Sequence, residues 1–292
     1  MTDEELYWIG FSVFPGIGPV RFDLLHTFFG SAKSAWRATR KSLIETHLPI
    51  HLVDEFCSFR TSFSLTSYKD ELQQLHVFAL TKNHAHYPSL LKEISDAPIV
   101  LYVKGKKGTT LINMDKTIAV VGTRHPTNYG ITVAKQIVAD LVAAGCTIVS
   151  GMAYGIDAVS HETAIACGGK TIAVLGCGVD ICAPFANRHI YQKLTDERFG
   201  AVVSEMPLGL RPNKGLFPAR NRIISGLSRG VLVVEGAEDS GTLITASNAA
   251  TQGRDVFAVP GTIMSKMSKG PAILLKAGAI LVESAHDILE HV

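Results

Sequence analysis

Ile118-Ala119-Val120-Val121-Gly122-Thr123-Arg124 is the stretch that decides how this chain folds. Four apolar residues run without polar alternation and stop at a glycine turn. A strand with one wet face alternates, so an unbroken apolar run reads as a strand buried on both faces. The pattern repeats outward in Cys146-Thr147-Ile148-Val149, Thr171-Ile172-Ala173-Val174-Leu175, Ala201-Val202-Val203, Val231-Leu232-Val233-Val234, Asp255-Val256-Phe257-Ala258-Val259 and Ala279-Ile280-Leu281-Val282. Stretches of helical length lie between the runs, for example residues 129–144 and 241–252. Strand, helix and strand in succession predict an α/β fold with a doubly wound, mostly parallel sheet over residues 117–292.

Ligands of such sheets bind beyond the carboxyl ends of the strands. Those ends carry Gly122-Thr123-Arg124, Ser150-Gly151-Met152-Ala153, Gly176-Cys177-Gly178, Ser240-Gly241-Thr242 and Pro260-Gly261-Thr262. Small residues let backbone amides approach an anion, and helix N-termini favour negative charge. One glycine turn merely closes a loop, but several on one edge predict an anion or nucleotide crevice. It is not a dinucleotide site, because Gly-Thr-Arg-His-Pro replaces Gly-x-Gly-x-x-Gly. The Walker A loop and the hydrolase nucleophile elbow are absent as well. Asp157 and Glu162, five residues apart, point to different sides of a helix and make a poor acid/base pair; Asp157 reads as orienting a loop.

Upstream, residues 1–70 read as short helices. Phe14-Pro15-Gly16-Ile17-Gly18-Pro19 forces a tight turn between two of them, a helix-hairpin-helix-like pattern. The turn either presents amides to a phosphate or serves packing alone; only Arg21 and Lys33 lie near it, against Asp3, Glu4, Glu5 and Asp23. Residues 71–116 read as a connecting extension with two strands, Val77–Leu80 and Ile99–Val103, and a turn Lys104-Gly105-Lys106-Lys107-Gly108. His84 and His86 lack further ligands at metal spacing, so no metal is expected, and no cofactor.

The formal net charge is only +2, so any basic site must be local. The five cysteines include no Cys-x-x-Cys pair and read as small buried residues in a reducing compartment. The acidic start MTDEELYWIG is unlike a signal peptide, and no apolar run reaches membrane-span length. A cytoplasmic location is expected. The local basic site is the stretch Met206–Val234, which holds Arg211, Lys214, Arg220, Arg222 and Arg229 without one Asp or Glu. Within it Phe217-Pro218-Ala219-Arg220-Asn221-Arg222 combines forked donors for phosphate with a ring for stacking. Two readings stay open here: a binding loop for single-stranded nucleic acid, or a solvated basic loop around a core Phe.

At this point the chain resembles the DprA/Smf family. The resemblance rests on Val121-Gly122-Thr123-Arg124 with Tyr129-Gly130; Ser150 to Asp157; Gly176-Cys177-Gly178-Val179-Asp180 with Pro184; Ser204-Glu205 with Pro207-Leu208-Gly209; Phe217 to Ser228; Ser240 to Ala246; and Gly253 to Gly261. It implies a Rossmann-like domain behind a small helical N-terminal domain. It implies a non-catalytic protein of natural transformation that binds single-stranded DNA, protects incoming strands and helps load the recombinase RecA. It also implies a homodimer that opposes blocking by single-strand-binding protein, with no membrane partner. Carried over by position, Arg124, Arg220 and Arg222 would meet phosphates, Ser240, Gly241 and Thr242 would cradle one at a helix start, and Phe217 and Asn221 would handle a base. Gly122, Thr123, Ser150 and Gly151 complete the expected DNA-binding set.

Three residues depart from the family pattern. Glu238-Asp239 stands where a basic residue is common, Tyr154 where Arg is frequent, and Ala183 where Tyr is frequent. The first two remove positive charge near the crevice. Many members continue into a winged-helix-like domain, whereas this sequence ends at Val292, which leaves two expectations: a version without that domain, or a cut chain. Two other function classes stay open on the sequence. A nucleotide-processing enzyme of the phosphoribohydrolase type would carry Pro-Gly-Gly-x-Gly-Thr-x-x-Glu, where this chain has Pro260-Gly261-Thr262-Ile263. A protein-interaction module that has lost DNA binding would suit Glu238-Asp239.

Overall fold

The computed structural model describes the whole chain except residues 107–111, 113–114, 197 and 214 and the side chain of Phe217. Lys107, Gly108, Lys214 and the Phe217 ring, all named above, lie outside the described residues.

The chain opens with α1 (Asp3–Val13), α2 (Pro19–Phe29), α3 (Ala32–Arg37), α4 (Arg40–Ile44), α5 (Ile50–Ser62) and α6 (Leu65–Gln74). Thr2 and Glu5 form a capping box that satisfies the first amides of α1. These helices close on an aromatic core: Phe11 stacks on Phe56 with ring centroids 5.0 Å apart and meets Trp36 edge-on at 5.3 Å. The turn between α1 and α2 bends at Gly16, whose φ of 104° suits glycine. Phe14 and Ile17 point inward and are buried. Arg21 donates to the Gly16 carbonyl at 2.6 Å, and Lys33 pairs with Asp3 at 2.6 Å. The cations near the turn are therefore engaged inside the module, as a packing hairpin requires.

Next come β1 (Val77–Thr81), α7 (Ser89–Lys92) and β2 (Val100–Lys104). They lead into β3 (Thr117–Val121), α8 (Asn128–Ala143), β4 (Thr147–Ser150), α9 (Ile156–Ala166), β5 (Lys170–Val174), α10 (Arg188–Asp196) and β6 (Gly200–Ser204). The rest is α11 (Leu216–Gly226), β7 (Gly230–Val233), α12 (Gly241–Thr251), β8 (Asp255–Ala258), α13 (Lys269–Lys276), β9 (Ile280–Leu281) and α14 (Ala285–Leu289). Among the described residues the strands form one sheet in the order β1-β2-β6-β5-β4-β3-β7-β8-β9. From β6 to β9 all neighbours are parallel, whereas β2 pairs antiparallel with both β1 and β6. The segment read as a connection thus extends the sheet edge by two antiparallel strands.

Every residue of β3, β4, β6 and β7 is buried. Successive side chains serve opposite layers, as the two-residue period of a strand demands. Ile118 and Val120 of β3 pack with Ile137, Val138 and Leu141 of α8, while Ala119 and Val121 join the cluster of Ile223 and Ile224 from α11 and Ala246 and Ala249 from α12. Each fully buried large aliphatic side chain contributes about 1.5–3 kcal/mol.

The helical module shares a core cluster with the sheet, running from Phe11 to Val202. Ser12 and the buried Tyr102 of β2 share a 2.7 Å hydrogen bond. Tyr68 of α6 accepts from the Leu208 amide at 2.9 Å, and burial pushes its phenol up to about 12. No described helix is long and apolar enough to cross a membrane. Cys146 and Cys177 are buried as expected, Cys57 and Cys182 are half-buried, and Cys167, the C-cap of α9, is exposed.

Candidate nucleic-acid interface

The sheet builds outward from β3 to β6 on one side and then returns to place β7 on the other side of β3. The loops after β3 and β7 therefore diverge, leaving a crevice at the switch point. A cleft of about 600 Å³ lies there. Gly122, Thr123 and Arg124 form one lip, Ser240, Gly241 and Thr242 the other, and Arg220 and Asn221 of α11 line it between them.

The lips are tied beneath the opening. Val234 N–H donates to the Val121 carbonyl at 3.1 Å, and Thr123 N–H to the Glu235 carbonyl at 2.7 Å. The Glu235 carboxylate is buried and accepts from Thr127, the N-cap of α8. Across the cleft, Ser240 caps α12, accepting from the Thr242 amide at 3.3 Å and the Thr242 hydroxyl at 2.9 Å. A Cβ built on Gly241 meets nothing within 4 Å, so the start of α12 is open to whatever enters. That end of the helix carries partial positive charge.

The arginines behave differently from one another. Arg124 is exposed on the cleft lip. Arg220 is 6% exposed, and its Nη1 donates to the carbonyls of Gly151 and Val174. Its Nη2 stands 4.0 Å from Asp157. Burial pushes the Asp157 carboxyl up, with the nearby Arg220 charge opposing, and the same burial pushes the Arg220 guanidinium down. The pair is a buried strut under the cleft. Gly151 has to be glycine for it to fit, because a Cβ there would lie 2.4 Å from the guanidinium carbon. Asp157 also accepts from the Ala153 amide at 3.3 Å, so it orients the loop after β4 as its sequence position predicts.

Arg222 is not brought to the cleft. It pairs with Asp96 at 2.9 Å and with Glu205 at 2.7 Å behind α11. The reason is a correction to the sequence reading: Phe217–Arg222, expected as a loop, is the first half of α11, and positions i and i+2 of a helix face apart. Pro218 is compatible with a first helical turn, which is the signal that could have shown it. Ser150 is likewise fully buried; its hydroxyl donates to the Val120 carbonyl at 2.7 Å and braces two strands. Asn221 does face the cleft, with its Nδ2 3.4 Å from the Gly241 carbonyl. His125 lines the cleft and Thr127 braces its lip through Glu235, and the sequence reading assigns neither His125 nor Thr127 to the site. Asp239 lines the cleft too, while Glu238 is absent from its lining.

A doubly wound, mostly parallel sheet with a glycine-lipped, arginine-bearing crevice at its switch point places the chain among Rossmann-like α/β proteins. Residues 78–292 match the family model of DNA recombination-mediator protein A, and the chain belongs to that family. It is 38% identical over 290 residues to Protein Smf of Synechocystis, covering 99% of this chain and 72% of that protein. It is 44% identical over 204 residues to the DNA processing protein DprA of Bacillus subtilis, covering 70% of this chain and 67% of that one. The X-ray structure of DprA from Streptococcus pneumoniae superposes with a TM-score of 0.85 at 33% identity, over 99% of this chain and 98% of that one. A structure of DNA processing protein A from Helicobacter pylori, described for its single-stranded DNA binding mode, matches with a TM-score of 0.66 at 28% identity, over 74% of this chain and 95% of that one.

Proposed function

We propose that this chain binds single-stranded DNA in the switch-point cleft and acts as a recombination mediator without catalysing a reaction. The observation that carries this is the opposition of exposed Arg124 and the open N-terminus of α12 across the cleft. Arg124 offers a forked donor to one phosphate, and the α12 start receives another. Such contacts are sequence-independent and release counterions, so binding weakens with salt. Asn221 is positioned to meet a base edge. The buried acid Asp157 is committed to Arg220 and to loop amides, which leaves it a structural role.

In this reading the protein protects incoming strands, helps load RecA and works as a homodimer in the cytoplasm, where single-strand-binding protein competes for the same DNA. Family membership supports these steps. The deciding experiment is fluorescence anisotropy of labelled oligothymidine at two salt concentrations with duplex as competitor. Salt-sensitive binding that duplex fails to displace supports the reading; absence of binding at low salt overturns it. Asp239 on the lip favours one rival, an interaction module without DNA binding, which would capture RecA and retard no DNA. Release of free base from nucleoside monophosphates would instead reveal an enzyme.

A further inference from the structure

We propose that a strand held in the cleft continues past Arg124 onto a second, base-stacking subsite formed by Tyr154, Phe185 and Arg188. This rests on the cleft being a single-stranded DNA site. A hollow of about 210 Å³ opens beyond the carboxyl ends of β4 and β5 and shares Arg124 and Arg220 with the cleft. Its other walls are small or apolar, including Gly176, Ala183 and Pro184. Tyr154 stands on its rim and is 50% exposed. Phe185, next after Pro184, is 71% exposed, and the Arg188 guanidinium lies 5.7 Å from its ring centroid.

The turn that carries Phe185 is tied to the loop that leads into Tyr154. Buried Asn187, in the same turn as Phe185, donates its Nδ2 to the carbonyls of Met152 at 2.9 Å and Ala153 at 3.1 Å. Met152 sits at φ 56°, a left-handed conformation that a side-chain-bearing residue holds at a cost. The loop before Tyr154 is thus set by specific bonds rather than by local preference. Two wet rings, one carrying a cation, beside an anion site are the elements of a sequence-tolerant stacking platform. The occupant is a nucleobase of the strand whose phosphate lies at Arg124, because the hollow and the cleft share that side chain.

The test compares labelled oligothymidine with an abasic oligomer of the same length, which keeps the phosphates and lacks the bases. The full chain is titrated as wild type, Tyr154→Ala, Phe185→Ala and Arg124→Ala; the two aromatic positions are exposed enough for truncation to spare the fold. The expected result is that Tyr154→Ala and Phe185→Ala each weaken oligothymidine binding by about fivefold or more. Both leave abasic binding unchanged, whereas Arg124→Ala weakens both ligands. Tyr154→Phe keeps the wild-type preference. If the two aromatic variants bind oligothymidine like wild type while Arg124→Ala is impaired, the subsite is overturned and the cleft reading stands. If the wild type binds neither oligomer, the cleft reading fails and the subsite fails with it.

Discussion

Glu235 grips Thr127 with both carboxylate oxygens: Oε1 accepts from the Thr127 hydroxyl at 2.6 Å and Oε2 from the Thr127 amide at 2.9 Å. Thr127 in turn accepts from the Gly130 amide as the N-cap of α8. One side chain at the end of β7 therefore fixes the start of the helix that follows β3, and with it the lip that carries Arg124. Glu235→Ala is expected to destabilise the protein by about 1–3 kcal/mol, since buried hydrogen bonds to a charge are lost. Gly130→Ala should mimic it, because its Cβ would lie 2.2 Å from the Glu235 carboxylate. Urea unfolding of the two variants checks this.

Arg124→Ala should weaken single-stranded DNA binding uniformly across sequences and lower the slope of log affinity against log salt by about one. Arg222→Ala should leave that slope unchanged, because its guanidinium is paired with Asp96 and Glu205 away from the cleft. Titrations at several salt concentrations separate the two arginines.

Arg220→Ala leaves Asp157 buried without its cationic partner and should cost about 3–5 kcal/mol near neutral pH. The Asp157 carboxyl is already held above its usual range by burial, so the folded protein binds its proton more readily than the unfolded chain. A carboxyl shifted that way loses stability as pH rises from the unfolded value through the folded one, and the loss is relieved on acidification. Removing Arg220 pushes the carboxyl higher still. The deficit of Arg220→Ala should therefore shrink as pH falls, and adding Asp157→Asn should restore part of it at pH 8. Melting curves across pH test both points.

His161 is fully buried, and burial pushes its imidazole down to about 3, with Arg220 adding to the effect. The Thr171 hydroxyl gives its proton to the Ile148 carbonyl at 2.8 Å, so it must accept from His161 Nδ1–H at 2.7 Å, which sets the neutral tautomer. Between about pH 6.5 and 3 the unfolded chain binds a proton that the folded protein refuses, so stability falls as pH falls through that window. The slope is about 1.4 kcal/mol per pH unit for one proton. His161→Asn, which keeps a donor to Thr171, should flatten it, as denaturant midpoints between pH 4 and 6.5 would show.

Much of the architecture was legible in the chain because burial on both faces writes itself as unbroken apolar runs. Ile118–Val121 and Val231–Val234 are strands β3 and β7 within a residue of where the pattern puts them. The crevice was legible too, since bare residues such as Gly122 and Gly241 follow those strands. The α11 helix was misread because its Pro and paired arginines look like loop chemistry when tertiary packing is out of view. Ile223 and Ile224, fully or almost fully buried against the sheet, supply the packing that makes it a helix.

What the sequence by itself determined was the order of strands and helices and the edge on which small residues gather, because periodicity and turn chemistry act over a few neighbours. Which arginine faces the cleft was decided only by the tertiary structure. Arg220 and Arg222 are two residues apart and chemically alike. The rotation of α11 against the sheet sends one into a carbonyl cage beside Asp157 and the other to Glu205 on a strand end behind it. Charge placement depends on partners 17 to 126 residues away along the chain, from Glu205 to Asp96 for Arg222 alone, and no local pattern encodes them.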